Sequence, residues 1–475
     1  MEKTQLVFVP SPGIGHLVST VEFSKRLTER DDQLSIAVLV ISSISARKME
    51  SYTERVAASN AGIQFINIPQ ADPPSAEFLK CRENYLSLLM ESHKSHVKKA
   101  IVDLVSEPCT SLAGIVVDLF CSSMIELANE LGVPSYVFFT SSAAFLGFML
   151  YLPNHYYQIG REFETSDSDS IIPAYSHPVP TNVVPSFAFN KYGGYASFLK
   201  HATRFKETKG IIVNTFAELE PHAVNQLKSD SETPPIYTVG PLLDLEGKRQ
   251  DSDCERIIKW LDDQPPSSVV FLCFGSMGSF EPDQLAEMAI ATERSGYRFL
   301  WAVRSPPSKD DPTKRMGEYS NLSEVLPEGF LERTENRGLL CGWAPQMEVL
   351  AHEAVGGFVS HCGWNSTLES LWYGVPVATW PLYAEQQINA FELVRELELA
   401  LELKLDYRTE NAKNLVMAEE IEKAIRCLMD SENPIRGRVK EMKEMSRKAI
   451  QNGGSSFISV GRLIEDIHIN KANKA

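Results

Sequence analysis

Short, continuous apolar runs, each followed by a turn and then by a stretch of helical periodicity, recur along most of this chain. Leu6 to Val9, Leu34 to Ile41, Ile63 to Ile68, Gly114 to Val117 and Tyr136 to Phe139 read as strands. Leu17 to Leu27, Asn84 to Leu104 and Ser122 to Leu131 read as helices between them, and Gly210 to Asn214 and Ile236 to Val239 as two further strands. Runs without polar alternation are strands buried on both faces, and strands separated by helices pair in parallel. The pattern restricts this half to a doubly wound α/β domain. A second series follows at Val269 to Phe274, Arg298 to Val303, Gly338 to Cys341, Gly357 to Ser360 and Pro376 to Thr379, with helices near Pro282 to Arg294, Glu348 to Glu353, Ser366 to Tyr373 and Gln386 to Leu397. At 475 residues the chain is too long for one ordinary domain. Two doubly wound halves in tandem are expected, with a ligand in the cleft between them.

The boundaries follow from where periodicity fades. Between Pro241 and Glu255 the chain turns polar and charged, which places a linker at 243–256 between domains at 1–242 and 257–452. Tyr151 to Tyr195 reads as loop-rich cover on the first domain, and Ser305 to Ser323 as a charged surface loop. Helices are expected at Ala418 to Met429, Ile435 to Ile450 and Ser455 to Ile467, with no order from Asn470 onward. The charge-free stretch Leu131 to Gly160 is broken by Pro134, Pro153 and Thr140 to Ser142, so it lacks the run of about 20 apolar residues that a membrane span needs.

A net charge of −16 excludes a basic nucleic-acid footprint, so an anionic ligand must be held by local donors. The eight cysteines form no CxxC or zinc-type spacing. Residues such as Cys273 lie inside apolar strands, which fits a reducing compartment. The N-terminus has no signal-peptide h-region.

Chemistry-bearing residues collect at strand ends, where open α/β sheets bind ligands. His16 follows the first strand and the turn Pro10 to Gly15. Asp118 ends a later strand and reads either as the partner that fixes the His16 tautomer or as a cap for the helix beyond it. Val18 stands where a dinucleotide fingerprint needs its third glycine, and Ile41-Ser42-Ser43 lacks the acidic ribose ligand, which sets a nicotinamide oxidoreductase aside. In the second half, Gly357 to Ser360 runs through Cys362-Gly363 into a helix near Asn365. Such a helix start aims free N–H groups and the positive end of the dipole at one spot. Asn365 or Ser366 can equally be its cap.

Trp343-Ala344-Pro345-Gln346, Leu350, His352, Gly357, His361-Cys362-Gly363-Trp364-Asn365-Ser366, Glu369, Gly374-Val375-Pro376, Pro381 and Glu385-Gln386 resemble the signature box of plant secondary-metabolite UDP-glycosyltransferases. Pro12 to His16 and Phe274-Gly275-Ser276 are similar to further landmarks of that family, closest to its flavonoid, phenolic and terpenoid branch. The resemblance implies a GT-B fold: two Rossmann-like domains facing a central cleft, with the helix in 453–475 crossing back to the first domain. It implies that Trp343 stacks on uracil, Ala344 bonds it through its backbone, and Gln346 and Glu369 hold the ribose. Ser276, His361, Trp364, Asn365 and Ser366 would surround the diphosphate, and Thr140, Glu385 and Gln386 the sugar. His16 would be the base and Asp118 its partner.

The implied activity is inverting transfer of glucose from UDP-glucose to a hydroxyl of a small hydrophobic acceptor, by a cytoplasmic monomer. Neither metal nor cofactor is implied, and no nucleic-acid partner or transmembrane segment. A silent nucleotide-sugar-binding protein, or a different UDP-sugar, is the alternative. One departure stands out: Leu397 to Leu403, with Glu398 and Glu402, replaces the family's Trp-Gly-rich segment and loses glycine's backbone freedom.

Overall fold

The structure is a computed structural model that describes residues 3–41, 46–60, 62–106, 110–190, 192–246, 252–306, 317, 319, 321–409 and 415–472. Cys109 and most of the charged loop Ser305 to Ser323 lie outside that set, as does the middle of the stretch read as linker. The chain forms two compact units, one of Met1–Thr181, Ser186–Asp244 and Arg447–Ala475, the other of Asn182–Pro185 and Leu245–Ser446.

In the first unit, β1 (Lys3–Val9), β2 (Leu34–Ile41), β3 (Ile63–Ile68), β4 (Thr110–Asp118), β5 (Ser135–Phe139), β6 (Ile211–Val213) and β7 (Ile236–Thr238) form a parallel sheet in the order β3-β2-β1-β4-β5-β6-β7. The order reverses between β1 and β4, whose ends are in register at Val9 and Val117. Leu6, Phe8, Val38 and Phe138 pack against Leu17, Val21 and Phe23 of the helix Ile14–Arg30, and against Val460, Leu463 and Ile467 of the terminal helix.

The second unit repeats the plan. β8 (Val269–Cys273), β9 (Arg298–Ala302), β10 (Gly338–Cys341), β11 (Val355–Ser360), β12 (Val377–Thr379) and β13 (Ala400–Glu402) pair in parallel in the order β10-β9-β8-β11-β12-β13. Its reversal lies between β8 and β11, which meet at Cys273 and Ser360. Val270, Leu272, Trp301, Val359 and Trp380 fill one core with the helices Pro282–Ser295 and Ala418–Met429.

The structure departs from the sequence reading at several places. The terminal helix runs to Ala472, because Asn470 donates to the Tyr136 hydroxyl (3.0 Å) and Lys471 to Thr4 Oγ1 (2.9 Å). The helix Ala143–Ile159 continues through Pro153, so loop-rich chain begins at Gly160 rather than at Tyr151. Buried Phe145, Leu146, Phe148, Met149 and Leu152 offset the backbone hydrogen bond that proline cannot make. The helix Ser252–Asp262 occupies the end of the stretch read as linker, burying Cys254, Ile257 and Leu261. The segment Leu397 to Leu403 carries β13 as an edge strand, entered through Glu398 at φ 52°. The box helix is Trp364–Tyr373 with Gly363 as its N-cap and no side-chain cap, so Asn365 and Ser366 lie inside its first turn instead of capping it.

Candidate active site

In the first unit the functional side chains gather at the β1/β4 reversal. His16 lies in the first turn of the helix after β1, and Asp118 is the last residue of β4. His16 Nδ1 is 2.8 Å from Asp118 Oδ2; the Asp118 side chain is 1% exposed and that of His16 30%. A buried carboxylate only accepts, so Nδ1 carries the ring proton and the basic lone pair belongs to Nε2. Thr140, at the end of neighbouring β5, has Oγ1 3.1 Å from the same Nδ1. Asp118 also caps the turn beyond it, accepting from Phe120 N–H at 3.4 Å, so both roles considered for it coexist.

Sequence reasoning missed Ser11. Buried at 1% exposure, it donates from Oγ to Asp118 Oδ1, and Cys121 Sγ lies 3.8 Å from the same hydroxyl. The available signal was a serine between two prolines at the strand end. Beside the pair, the Phe120 ring stands edge-on to His16 at 6.3 Å and meets Phe198 (5.9 Å) and His201 (6.1 Å). His201 bonds the hydroxyls of Ser122 (2.7 Å) and Ser87 (2.8 Å), and burial pushes its pKa down to about 3. Beside the His16–Asp118 pair, this neighbourhood is aromatic.

In the second unit the residues collect at the β8/β11 reversal. His361 follows β11 and is buried, and its Nδ1 has no hydrogen-bond partner among the described residues. A Cβ added at Gly275 or at Gly363 would lie 2.6 Å from His361 Nε2, so the ring fits only because glycines stand on both sides. Gly275 also has φ +73°, open to glycine at no cost. Burial pushes the His361 pKa down to about 4, leaving a neutral imidazole at pH 7. Cys362 holds φ 62° and is secured by Ser360 Oγ accepting from its N–H (3.2 Å) and by Asn389 Nδ2 donating to its carbonyl (3.1 Å). The turn starts the helix Trp364–Tyr373, whose first-turn N–H groups belong to Trp364, Asn365 and Ser366.

Gln346 opens the helix Gln346–Ala351 and donates from Nε2 to Ser366 Oγ (2.8 Å) and Glu369 Oε2 (2.5 Å). Burial pushes the Glu369 carboxyl up to about 7, against the opposing pull of the Gln346 hydrogen bond. Ala344 is buried. The Trp343 ring has the Arg304 guanidinium 5.5 Å from its centroid, and Arg304 Nη1 donates to the Ser276 carbonyl. Glu385 stands at the N-cap position of the helix Gln386–Phe391, with no side-chain capping hydrogen bond. Gln386 commits Oε1 to the N–H groups of Leu382 (2.9 Å) and Tyr383 (3.1 Å), so its Nε2 side is the one that offers donors to a ligand. His16, Asp118 and Thr140 are thus brought together in one unit, and Ser276, Trp343, Gln346, His361, Ser366 and Glu369 in the other. Among the described residues no group of three or more His, Cys, Asp or Glu could hold a metal ion, and no helix is long and apolar enough to cross a membrane.

Comparison with known proteins gives this geometry a context. Residues 235–430 match the family model described as UDP-glucoronosyl and UDP-glucosyl transferase. The chain is 52% identical to UDP-glycosyltransferase 71K1 of Malus domestica, over 98% of this chain and 99% of that protein. It is 51% identical to a putative UDP-glucose flavonoid 3-O-glucosyltransferase 3 of Fragaria ananassa, over 98% and 100%. Among solved structures, UGT71G1 of Medicago truncatula in complex with UDP-glucose superposes with a TM-score of 0.90 at 49% identity, covering 98% of each chain.

Proposed function

The chain belongs to the plant UDP-glycosyltransferase family, and from that premise we propose that it transfers glucose from UDP-glucose, with inversion, to a hydroxyl of a small hydrophobic acceptor. The observation that carries the chemistry is the 2.8 Å contact between part-exposed His16 and buried Asp118. His16 Nε2 takes the proton from the acceptor hydroxyl. The oxygen attacks the anomeric carbon of UDP-α-glucose as the bond to the diphosphate breaks, giving a β-O-glucoside and UDP. Asp118 stabilises the imidazolium formed in that step. A positioned base supplies about 10²–10⁴-fold; orientation and stabilisation of the departing diphosphate supply much of the rest.

In this reading Trp343 stacks on uracil beside Ala344, while Gln346 and Glu369 accept and donate at the ribose. Ser276, His361 and the first turn Trp364 to Ser366 face the diphosphate, and Thr140, Glu385 and Gln386 the glucose hydroxyls. Thr140 accepts a share of the His16 Nδ1 proton, so its own O–H is the donor for the sugar. A helix N-terminus with donors at this point supports diphosphate binding without a metal. The aromatic surroundings of His16 support a flat phenolic acceptor such as a flavonoid, or a terpenoid of similar bulk. Free thiols at Cys81, Cys121, Cys254, Cys273, Cys341, Cys362 and Cys427 support a cytoplasmic setting, and we read the working form as a monomer.

The test is incubation with UDP-glucose and a panel of phenols and terpenoid alcohols, with and without EDTA. We expect acceptor-dependent UDP release, a hexose mass shift and a β anomeric coupling by NMR, all insensitive to EDTA. UDP binding with no transfer to any acceptor would favour a silent nucleotide-sugar-binding protein instead.

A further inference from the structure

Transfer leaves one electrostatic question open in the second unit. A diphosphate is a polyanion, the chain carries a net charge of −16, and the histidine at the β8/β11 reversal is neutral at pH 7. Among the described residues, Arg304 is a cation that the fold brings to this rim. It follows β9 by two residues, one strand over from β8, and its guanidinium spans two loops. Nη1 donates to the carbonyl of Ser276 in the loop after β8, and Cζ lies 5.5 Å from the centroid of the Trp343 ring after β10. Ser276 adjoins Gly275, the residue that backs His361.

We propose that Arg304 is a donor-positioning residue: it steadies the indole on which uracil stacks, holds the Gly275-Ser276 turn against His361, and brings positive charge toward the diphosphate. The inference rests on UDP occupying this unit, as proposed above. The physical reason for arginine is its planar guanidinium. It can lie over an indole and donate sideways at the same time, whereas lysine offers a point charge without a planar face.

Calorimetric titration of the full-length protein with UDP and with uridine tests the assignment, using Arg304→Ala, Arg304→Gln and Arg304→Lys. Arg304→Ala should weaken UDP by about tenfold, a size consistent with a part-exposed cation–π contact plus a lost charge near the diphosphate. Uridine, lacking the diphosphate, should lose only a few-fold. Arg304→Lys should recover part of the UDP loss and none of the uridine loss. In turnover assays the KM for UDP-glucose should rise while the acceptor KM stays unchanged, a split that general destabilisation does not produce. A double-mutant cycle with Trp343→Ala should show losses well short of additive. Wild-type binding of UDP with Arg304→Ala and Arg304→Gln both within twofold of it overturns the inference, and so do fully additive losses in the cycle. Failure of the wild type to bind UDP overturns the donor assignment itself.

Discussion

The two units share one plan and use it for opposite ends. Each is a parallel sheet whose strand order reverses once, at β1/β4 or at β8/β11, and each places a histidine just beyond the reversal. His16 is part-exposed and tied to a buried carboxylate, an arrangement able to stabilise an imidazolium formed when the ring takes a proton. His361 is buried against Gly275 and Gly363, and among the described residues no acid shifts it, so burial favours the neutral ring. Topology decides where a site forms, and the immediate partners of the imidazole decide what it can do. A carboxylate makes a base that accepts a full charge; glycine backing makes a compact donor that adds little charge of its own.

The strongest way to break this comparison is to remove the first histidine. His16→Ala should lower kcat/KM for transfer by about 10²–10⁴-fold and leave UDP affinity within about twofold of wild type, since the proposed base and the proposed nucleotide ligands lie in different units. Parallel loss of both in titration and turnover assays would refute the division of labour.

A pH series sharpens the second half. The His361 pKa is depressed to about 4 in the folded chain, against about 6.5 unfolded. The unfolded state therefore binds the proton first. Stability linked to the neutral ring is complete above about pH 6.5 and is lost as pH falls toward 4. His201, pushed down to about 3, adds a loss of the same sign in the first unit. Urea midpoints should fall across this window, less steeply in His361→Gln; an unchanged slope would mean that the ring is not held neutral. Saturating UDP should shrink the loss in wild type, because an anion favours the imidazolium.

A smaller effect is expected at Ser11. Its hydroxyl donates to Asp118 Oδ1 and holds the carboxylate that orients His16, so Ser11→Ala should lower kcat a few-fold. Turnover assays should show the loss returning with Ser11→Thr; unchanged kcat in Ser11→Ala would reduce Ser11 to packing. The smallest change lies away from both sites. Glu398 holds φ 52°, and Glu398→Gly should raise stability by about 1 kcal/mol, net of the exposed Arg438 pairing it gives up. Thermal melting monitored by circular dichroism decides it, and a lower melting temperature would show that the pairing outweighs the strain.

Much of the candidate site was legible before folding because strand-end chemistry is local. A histidine after a glycine turn, an aspartate closing an apolar run and a glycine turn leading into a helix can be read from neighbours in the chain. Boundaries were less legible where tertiary contacts override local signals. Pro153 is carried inside a helix by burial, and the last helix is extended by anchors to Tyr136 and Thr4. Ser11, Arg304 and Asn389 were missed for a related reason: a serine, an arginine and an asparagine become informative only when Asp118, Trp343 or the Cys362 carbonyl is placed beside them.

By itself, then, the sequence determined the class of fold, two parallel sheets flanked by helices, because apolar periodicity is a property of consecutive residues. It also determined the kind of donor group at each strand end, because residue type sets what can give or take a proton. Only the tertiary structure decided that His16 meets Asp118 and Thr140, that His361 lies between Gly275 and Gly363, and that Gln346 reaches Glu369. Those pairings depend on which strands become neighbours and in what register, a choice made by burying whole sheets rather than by any local stretch of chain.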